Sequence, residues 1–185
     1  MILRNIRNDV PFVLYLSNFW GGKMVNINFK CVFIKESYFQ QNTHFVEMLD
    51  PNSIEDQTKR KYIFLNFKYK NNTLLVPLRT EMPDLSEIGQ VGYMVPSKKK
   101  PNAGLDYRKT LIVNNSDYLE ISSHPDRKIP ASQVKIINGN YSAIKNGLIA
   151  YVDGYVKSAK KNRHLLDKKF RFSTLHNFHN ELGIT

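Results

Sequence analysis

A change of hydrophobic period near residue 140 restricts the fold more than any motif in the chain. Before it, apolar residues fall in short alternating runs. The clearest is Lys61 to Lys70, KYIFLNFKYK. Tyr62, Phe64, Asn66 and Lys68 share one face of a strand there, and Ile63, Leu65, Phe67 and Tyr69 share the other. After it, Ile144, Leu148, Val152, Tyr155 and Ala159 recur at helical spacing between Tyr141 and Leu166. Strands first and helices last predict an α+β domain, an antiparallel sheet packed by a long helix in the C-terminal half.

The remaining elements follow from local signals. Asn28 to Ile34 reads as a strand and Glu36 to Gln41 as a short helix, with an irregular segment after it. Asp50-Pro51-Asn52-Ser53 is a turn cluster. Asn71-Asn72 turns the chain so that Thr73 to Leu78 returns against the strand from Lys61. Tyr93 to Val95, Thr110 to Val113, Tyr118 to Ile121 and Val134 to Ile137 read as further short strands. Ser173 caps a last helix with the apolar stripe Leu175, Phe178 and Leu182, and Gly183 stops it.

The chain has 185 residues, which suits one domain. Lysine and arginine total 27 against 16 acids, a net charge of +11. Such a balance favours a polyanionic partner, nucleic acid before acidic membrane. One cysteine, Cys31, excludes a disulfide framework and any zinc site built on several thiolates, and fits a reducing cytoplasm. No run reaches the roughly 18 apolar residues that span a bilayer. Gly21-Gly22-Lys23-Met24 back-translates to a purine-rich stretch ahead of a start codon, like a ribosome-binding site. Residues 1–23 are therefore expected to be a translated leader and 24–185 a single domain. A genuine N-terminal strand or helix using Phe12, Leu14, Leu16, Phe19 and Trp20 is the alternative.

The chain carries no phosphate-cradling glycine loop, no paired C-x-x-C and no hydrolase nucleophile motif. Acids are scattered, without the cluster that a magnesium-dependent nuclease needs. His176 and His179 lie three residues apart, a spacing compatible with a metal, but no third ligand is evident, and no metal or other cofactor is expected. What remains is a set of cations beside hydroxyls. Arg60-Lys61 begins the hairpin that Arg79-Thr80 ends, so antiparallel pairing brings these groups to one sheet end. Solvated strand termini are the competing reading.

Three stretches, LLVPLRTEMP, GLDYRKTLIV and FRFSTLHNFHNELGI, occur in an order and spacing that resemble the toxin endoribonucleases of type III toxin–antitoxin systems. This is the ToxN/AbiQ superfamily, and the likeness is greatest to its TenpN branch. The resemblance covers Met24 to the C-terminus. It implies a compact, twisted antiparallel sheet related to the Kid/MazF barrel, with flanking helices. It also implies a metal-independent ribonuclease held inactive by a folded RNA antitoxin made of tandem repeats, commonly in phage defence by abortive infection.

ToxN-type toxins keep a Thr-Ser pair after the Pro-Leu of the hairpin, followed by Pro-Lys. Here Pro77-Leu78 is followed by Arg79-Thr80-Glu81-Met82. Thr80 stands in for the serine, Arg79 replaces the threonine, and the lysine is missing. The catalytic lysine of the family falls on Arg60, with Lys61 adjacent, and Lys109 matches another basic position. Arginine stabilises a phosphorane but is a poor proton carrier. Arg60, Lys61, Arg79 and Lys109 are thus the expected catalytic cations, and Thr80 the hydroxyl. His179 or His176 is the natural acid–base group, because histidine titrates near neutrality; a core-satisfied helix residue is the equal alternative for His179. Lys98, Lys99 and Lys100, with Asp106, Tyr107 and Arg108 beside them, are expected to hold RNA. Net charge and aromatics alone would equally suit a non-catalytic RNA-binding protein.

Overall fold

The computed structural model describes residues 18–20, 23–25, 28–84, 88–121 and 128–184. Most of the expected leader, 1–23, lies outside them. Asn18–Trp20 (β1) and Lys23–Val25 (β2) pair as a separate antiparallel ladder.

The main sheet is organised by one long strand. Asn72–Arg79 (β6) runs for 8 residues and carries partners on both edges. On one edge lie Tyr62–Phe64 (β4) and Lys68–Tyr69 (β5). On the other lie Gly104–Asp106 (β8) and Leu111–Ile112 (β9). Lys30–Ile34 (β3) extends the sheet beyond β4, and Leu119–Glu120 (β10) pairs with β3. Gly92–Met94 (β7) closes the far side against β8. Every pairing is antiparallel. The order β10-β3-β4-β6-β8-β7 leaves β10 and β7 as two edges, so the sheet stays open and is not the closed barrel of the Kid/MazF type. The α+β class, with helices flanking an antiparallel sheet, is as expected.

Both neighbours of β6 are interrupted. The expected strand from Lys61 to Lys70 breaks between β4 and β5, where Asn66 adopts φ 50°. Ile63 faces Val76 but Lys68 faces Thr73, so two extra residues are accommodated as a bulge. Lys70 and Asn71 then turn with φ 47° and 70°, the left-handed pair that a two-residue hairpin favours. On the other edge, the 3-10 turn Tyr107–Lys109 separates β8 from β9. Pro77 explains the place. Leu78 N donates to Lys61 O at 2.8 Å on the β4 side. Alternation puts the missing Pro77 N–H on the opposite side, facing the end of β8, where no ladder bond can continue.

The helices are Glu36–Gln41 (α1), Ile54–Lys59 (α2), Ala131–Gly139 (α3), Tyr141–Ala159 (α4) and His179–Leu182 (α5). Ser173 caps a 3-10 turn, Thr174–Phe178, ahead of the short α5, where one last helix was expected, and α2 and α3 also differ from the sequence reading. Ser53 Oγ accepts from Asp56 N at 3.1 Å and so caps α2, in a segment read only as a turn cluster. Val134 to Ile137, expected as a strand, belongs to α3. Gln133 and Ile137 are buried one helical turn apart, and a four-residue apolar run cannot decide its own period.

The central helix α4 buries Ile144, Leu148, Tyr151, Val152, Tyr155, Val156 and Ala159 against the sheet. Gly147 permits the close approach: a Cβ there would lie 3.0 Å from the Tyr107 hydroxyl. The helix ends at Ala159 rather than at Leu166. Asn162 takes φ 54°, Arg163 N donates to Ser158 O at 3.0 Å, and Asn162 N donates to Ala159 O at 2.8 Å. This is a Schellman cap with asparagine in the left-handed position. It turns the chain back across the helix and sets the place of His164.

Candidate active site

The tight break in the β6 ladder puts three charged side chains together. Asp106 closes β8 and has no exposed side-chain surface. Its Oδ2 accepts from Arg79 Nη1 at 2.9 Å and from Arg108 Nη2 at 2.9 Å. Its Oδ1 accepts from Arg108 Nε at 3.0 Å and from Arg108 N at 3.1 Å. Two guanidiniums on one carboxylate leave a local excess of one positive charge. Arg79 keeps 27% of its side-chain surface exposed and Arg108 keeps 9%. Buried neutral scaffolding with one exposed guanidinium face is an arrangement that can receive a phosphate.

The other expected side chains make contacts of their own outside this ion-pair cluster. Backbone pairing does bring the two strand ends together, because Lys61 lies opposite Leu78. The Arg60 side chain nevertheless turns away to Asp50, which its Nε also reaches at 3.1 Å. Lys61 sits beside Cys31, where its charge partly offsets the burial that pushes the thiol up to about 11. Thr80 is exposed just past the end of β6. Lys109 donates to Glu47 O at 2.7 Å and approaches Glu47 Oε2 at 3.2 Å. Burial lowers its pKa from the usual lysine value, against the raising effect of the Glu47 hydrogen bond and charge.

Tyr107 is a correction. It was expected at an RNA-facing surface, but it is wholly buried, its hydroxyl donating to Ile144 O at 3.1 Å under Gly147. The aromatic ring that fills the 3-10 turn serves the core. Asp106 is likewise buried, its carboxylate enclosed by the two arginines. Lys98 and Lys99 project from a two-residue reverse turn closed by Ser97 N to Lys100 O and Lys100 N to Ser97 O, both 3.0 Å. All three lysines of that turn are exposed.

A cleft of about 230 Å³ opens beside Arg108 and is lined by Asp84, Ile88, Arg108, Lys168, Arg171 and Phe172. Phe172 is 46% exposed, and the Arg171 guanidinium lies over its ring at 4.7 Å. Cations and an exposed ring in one cleft suit a nucleotide's phosphate and base. The sequence reading placed Phe172 inside the resemblance but drew no role from it. The signal was the alternation of basic and aromatic residues in Lys168 to Phe172.

The histidines form a second cluster. The Tyr155 hydroxyl lies 2.9 Å from His176 Nδ1 and 2.7 Å from His179 Nε2. The ring of His164 stands 5.2 Å from that of His176 and 5.4 Å from that of His179. Burial and the other histidines lower the pKa of His164, and burial and His176 lower that of His179. His179, expected as the acid–base group, is therefore held by Tyr155. The third histidine that the sequence did not offer arrives because the Asn162 cap folds His164 back. Asparagine after a helix pattern was the legible signal. The Ser173 hydroxyl donates to Arg108 O at 3.3 Å and the Thr174 hydroxyl to Thr110 O at 2.5 Å, fastening the histidine-bearing segment to the turn that carries Arg108.

No helix among the described residues is long and apolar enough to cross a membrane. No family model and no curated protein matches the chain. Among solved structures it is similar to AbiQ, a lactococcal anti-phage endoribonuclease belonging to the type-III toxin-antitoxin system. The TM-score is 0.60 at 13% identity, over 85% of this chain and 97% of that one. The two chains share an α+β fold in which an antiparallel sheet is flanked by helices.

Proposed function

We propose that this chain is the toxin of a type III toxin–antitoxin system, of the TenpN branch, and cleaves RNA without a metal. The observation that carries the reading is the Arg79–Asp106–Arg108 cluster, placed at the strand end where the resemblance locates the hydroxyl pair. The similarity in fold to AbiQ supports it.

In the proposed reaction an RNA 2′-hydroxyl attacks the adjacent phosphorus, and the 5′-oxygen leaves. The products are a 2′,3′-cyclic phosphate and a 5′-hydroxyl. Arg79 meets the charge that develops on the non-bridging oxygens, with Asp106 fixing its direction. Arg108, held on both carboxylate oxygens, adds field from beneath. Thr80 donates to a phosphate oxygen at the strand end. Lys109, with its lowered pKa, is the better proton carrier than either arginine. Phe172 and Arg171 splay the strand by stacking a base. A repeat-derived RNA antitoxin occupies the same basic face, and the Lys98–Lys100 turn holds its backbone. The setting is the cytoplasm, in phage defence by abortive infection.

The experiment is cleavage of single-stranded RNA by folded protein in EDTA, with end-group analysis. Cyclic phosphate termini are expected. A strict requirement for an added divalent ion would contradict the mechanism, and RNA binding without cleavage would favour a non-catalytic RNA-binding protein.

A further inference from the structure

We propose that His164, His176 and His179 form a binding site for a single Zn²⁺-class metal ion. The site shares no residue with the arginine cluster and fastens the irregular segment 160–173 to the C-terminal end of the chain.

Three observations meet here. One nitrogen from each histidine lies within 4.8 Å of the others. The Nδ1 of His164 is buried and has no hydrogen-bond partner, an unusual state for a ring nitrogen. The His176 Nε2 lies 3.2 Å from Arg171 O. If it donates there, Nδ1 keeps its lone pair and points it into the cluster, the outer-shell arrangement of metal-bound imidazoles.

The Tyr155 hydroxyl has one proton and two imidazole neighbours, so it can donate to only one of them. The other nitrogen must carry its own proton toward the phenol oxygen. A cation replaces this arrangement with three imidazole lone pairs and leaves a fourth position for water or the Tyr155 oxygen. Three neutral imidazoles suit zinc above the harder cations. Tetrahedral Zn–N bonds of about 2.0–2.1 Å need ligand nitrogens about 3.4 Å apart. With all three within 4.8 Å, the widest separation must close by at most about 1.4 Å. His164 can make that movement, because it sits on a non-helical segment and its Nδ1 is bound to nothing.

The consequence reaches the RNA cleft. The segment fastened by His164 carries Leu165 and Leu166, 61% and 82% exposed, and continues to Lys168, Arg171 and Phe172. A metal clip would order this platform without entering the chemistry at Arg79.

The test uses the full chain, stripped with a chelator and titrated with Zn²⁺ alone, with Co²⁺ as a spectroscopic probe. One equivalent per chain, with the visible bands of tetrahedral cobalt, is expected. His164→Gln should weaken binding by more than the roughly 10–100-fold that loss of an outer partner costs. Its Nδ1 makes no hydrogen bond, so little of the fold depends on it; His176→Gln repeats the test from another element. His44→Gln should bind as wild type. No uptake by the wild-type chain, unchanged affinity in His164→Gln and His176→Gln, or equal loss in His44→Gln would overturn the site. None of these readouts depends on ribonuclease activity.

Discussion

Asp106 and Arg79 stand on neighbouring strands, 27 positions apart in sequence, and meet at 2.9 Å with the carboxylate wholly buried. The same carboxylate holds Arg108 through both oxygens. The strand end is thus a braced cationic site, unlike a solvated terminus where charges hang free.

Replacing Asp106 with asparagine should therefore harm stability as well as activity. It keeps the shape but leaves two guanidiniums without their counter-charge, one of them only 9% exposed. The expected cost is about 3–5 kcal/mol, the range for breaking a buried ion pair from one side. Urea denaturation of the purified variant checks it. An unchanged midpoint would mean that the arginines find other partners.

Lys109 predicts a pH dependence. Burial lowers its pKa from the usual 10.5, so it loses its proton at a lower pH than an exposed lysine. The unfolded chain then binds more protons in the window between the folded value and 10.5, and stability rises with pH across that window. Catalysis moves the opposite way. If the ammonium must be charged or donate, kcat/KM falls along an alkaline limb that begins below 10.5. Lys109→Arg, which keeps the charge but carries protons poorly, should lower kcat/KM and abolish this limb. A profile that is the same in wild type and Lys109→Arg would remove Lys109 from the reaction.

The turn at Lys98–Lys100 predicts a salt effect. Its side chains are exposed on a reverse turn beside β8, well placed for phosphates. Replacing all three by glutamine should weaken RNA binding and reduce the slope of log affinity against log salt. The reduction should be about one unit for each lysine in contact. Equal slopes for the variant and wild type would show a solvated turn.

Periodicity made much of this fold legible before any coordinates. The strand at β3, the helix α1, the core stripe of α4 and the Gly183 stop all followed from local patterns, because each has a short-range cause. What escaped was set by long-range partners. The Lys61–Lys70 run alternates well enough for one strand, yet Asn66 breaks it so that β6 can serve two partners on each edge. The resemblance pointed to Arg79 and Lys109 but could not show that Asp106 would brace the former and Glu47 hold the latter. Tyr107 was expected among the residues that hold RNA and is a core residue, because its turn packs inward under Gly147. His164 carried no signal of its own; the Asn162 cap made it a neighbour of His176.

The most direct test of the central claim compares cleavage of single-stranded RNA by wild type, Arg79→Ala and Thr80→Val, each corrected for its folded fraction. Arg79→Ala should lose about 2.7–4 kcal/mol of transition-state stabilisation, on the order of 100- to 1,000-fold in rate. Thr80→Val should lose less, because it removes one hydroxyl and keeps the shape. Both should still bind RNA through the remaining phosphate contacts. A folded Arg79→Ala protein that cuts RNA at the wild-type rate would contradict the account.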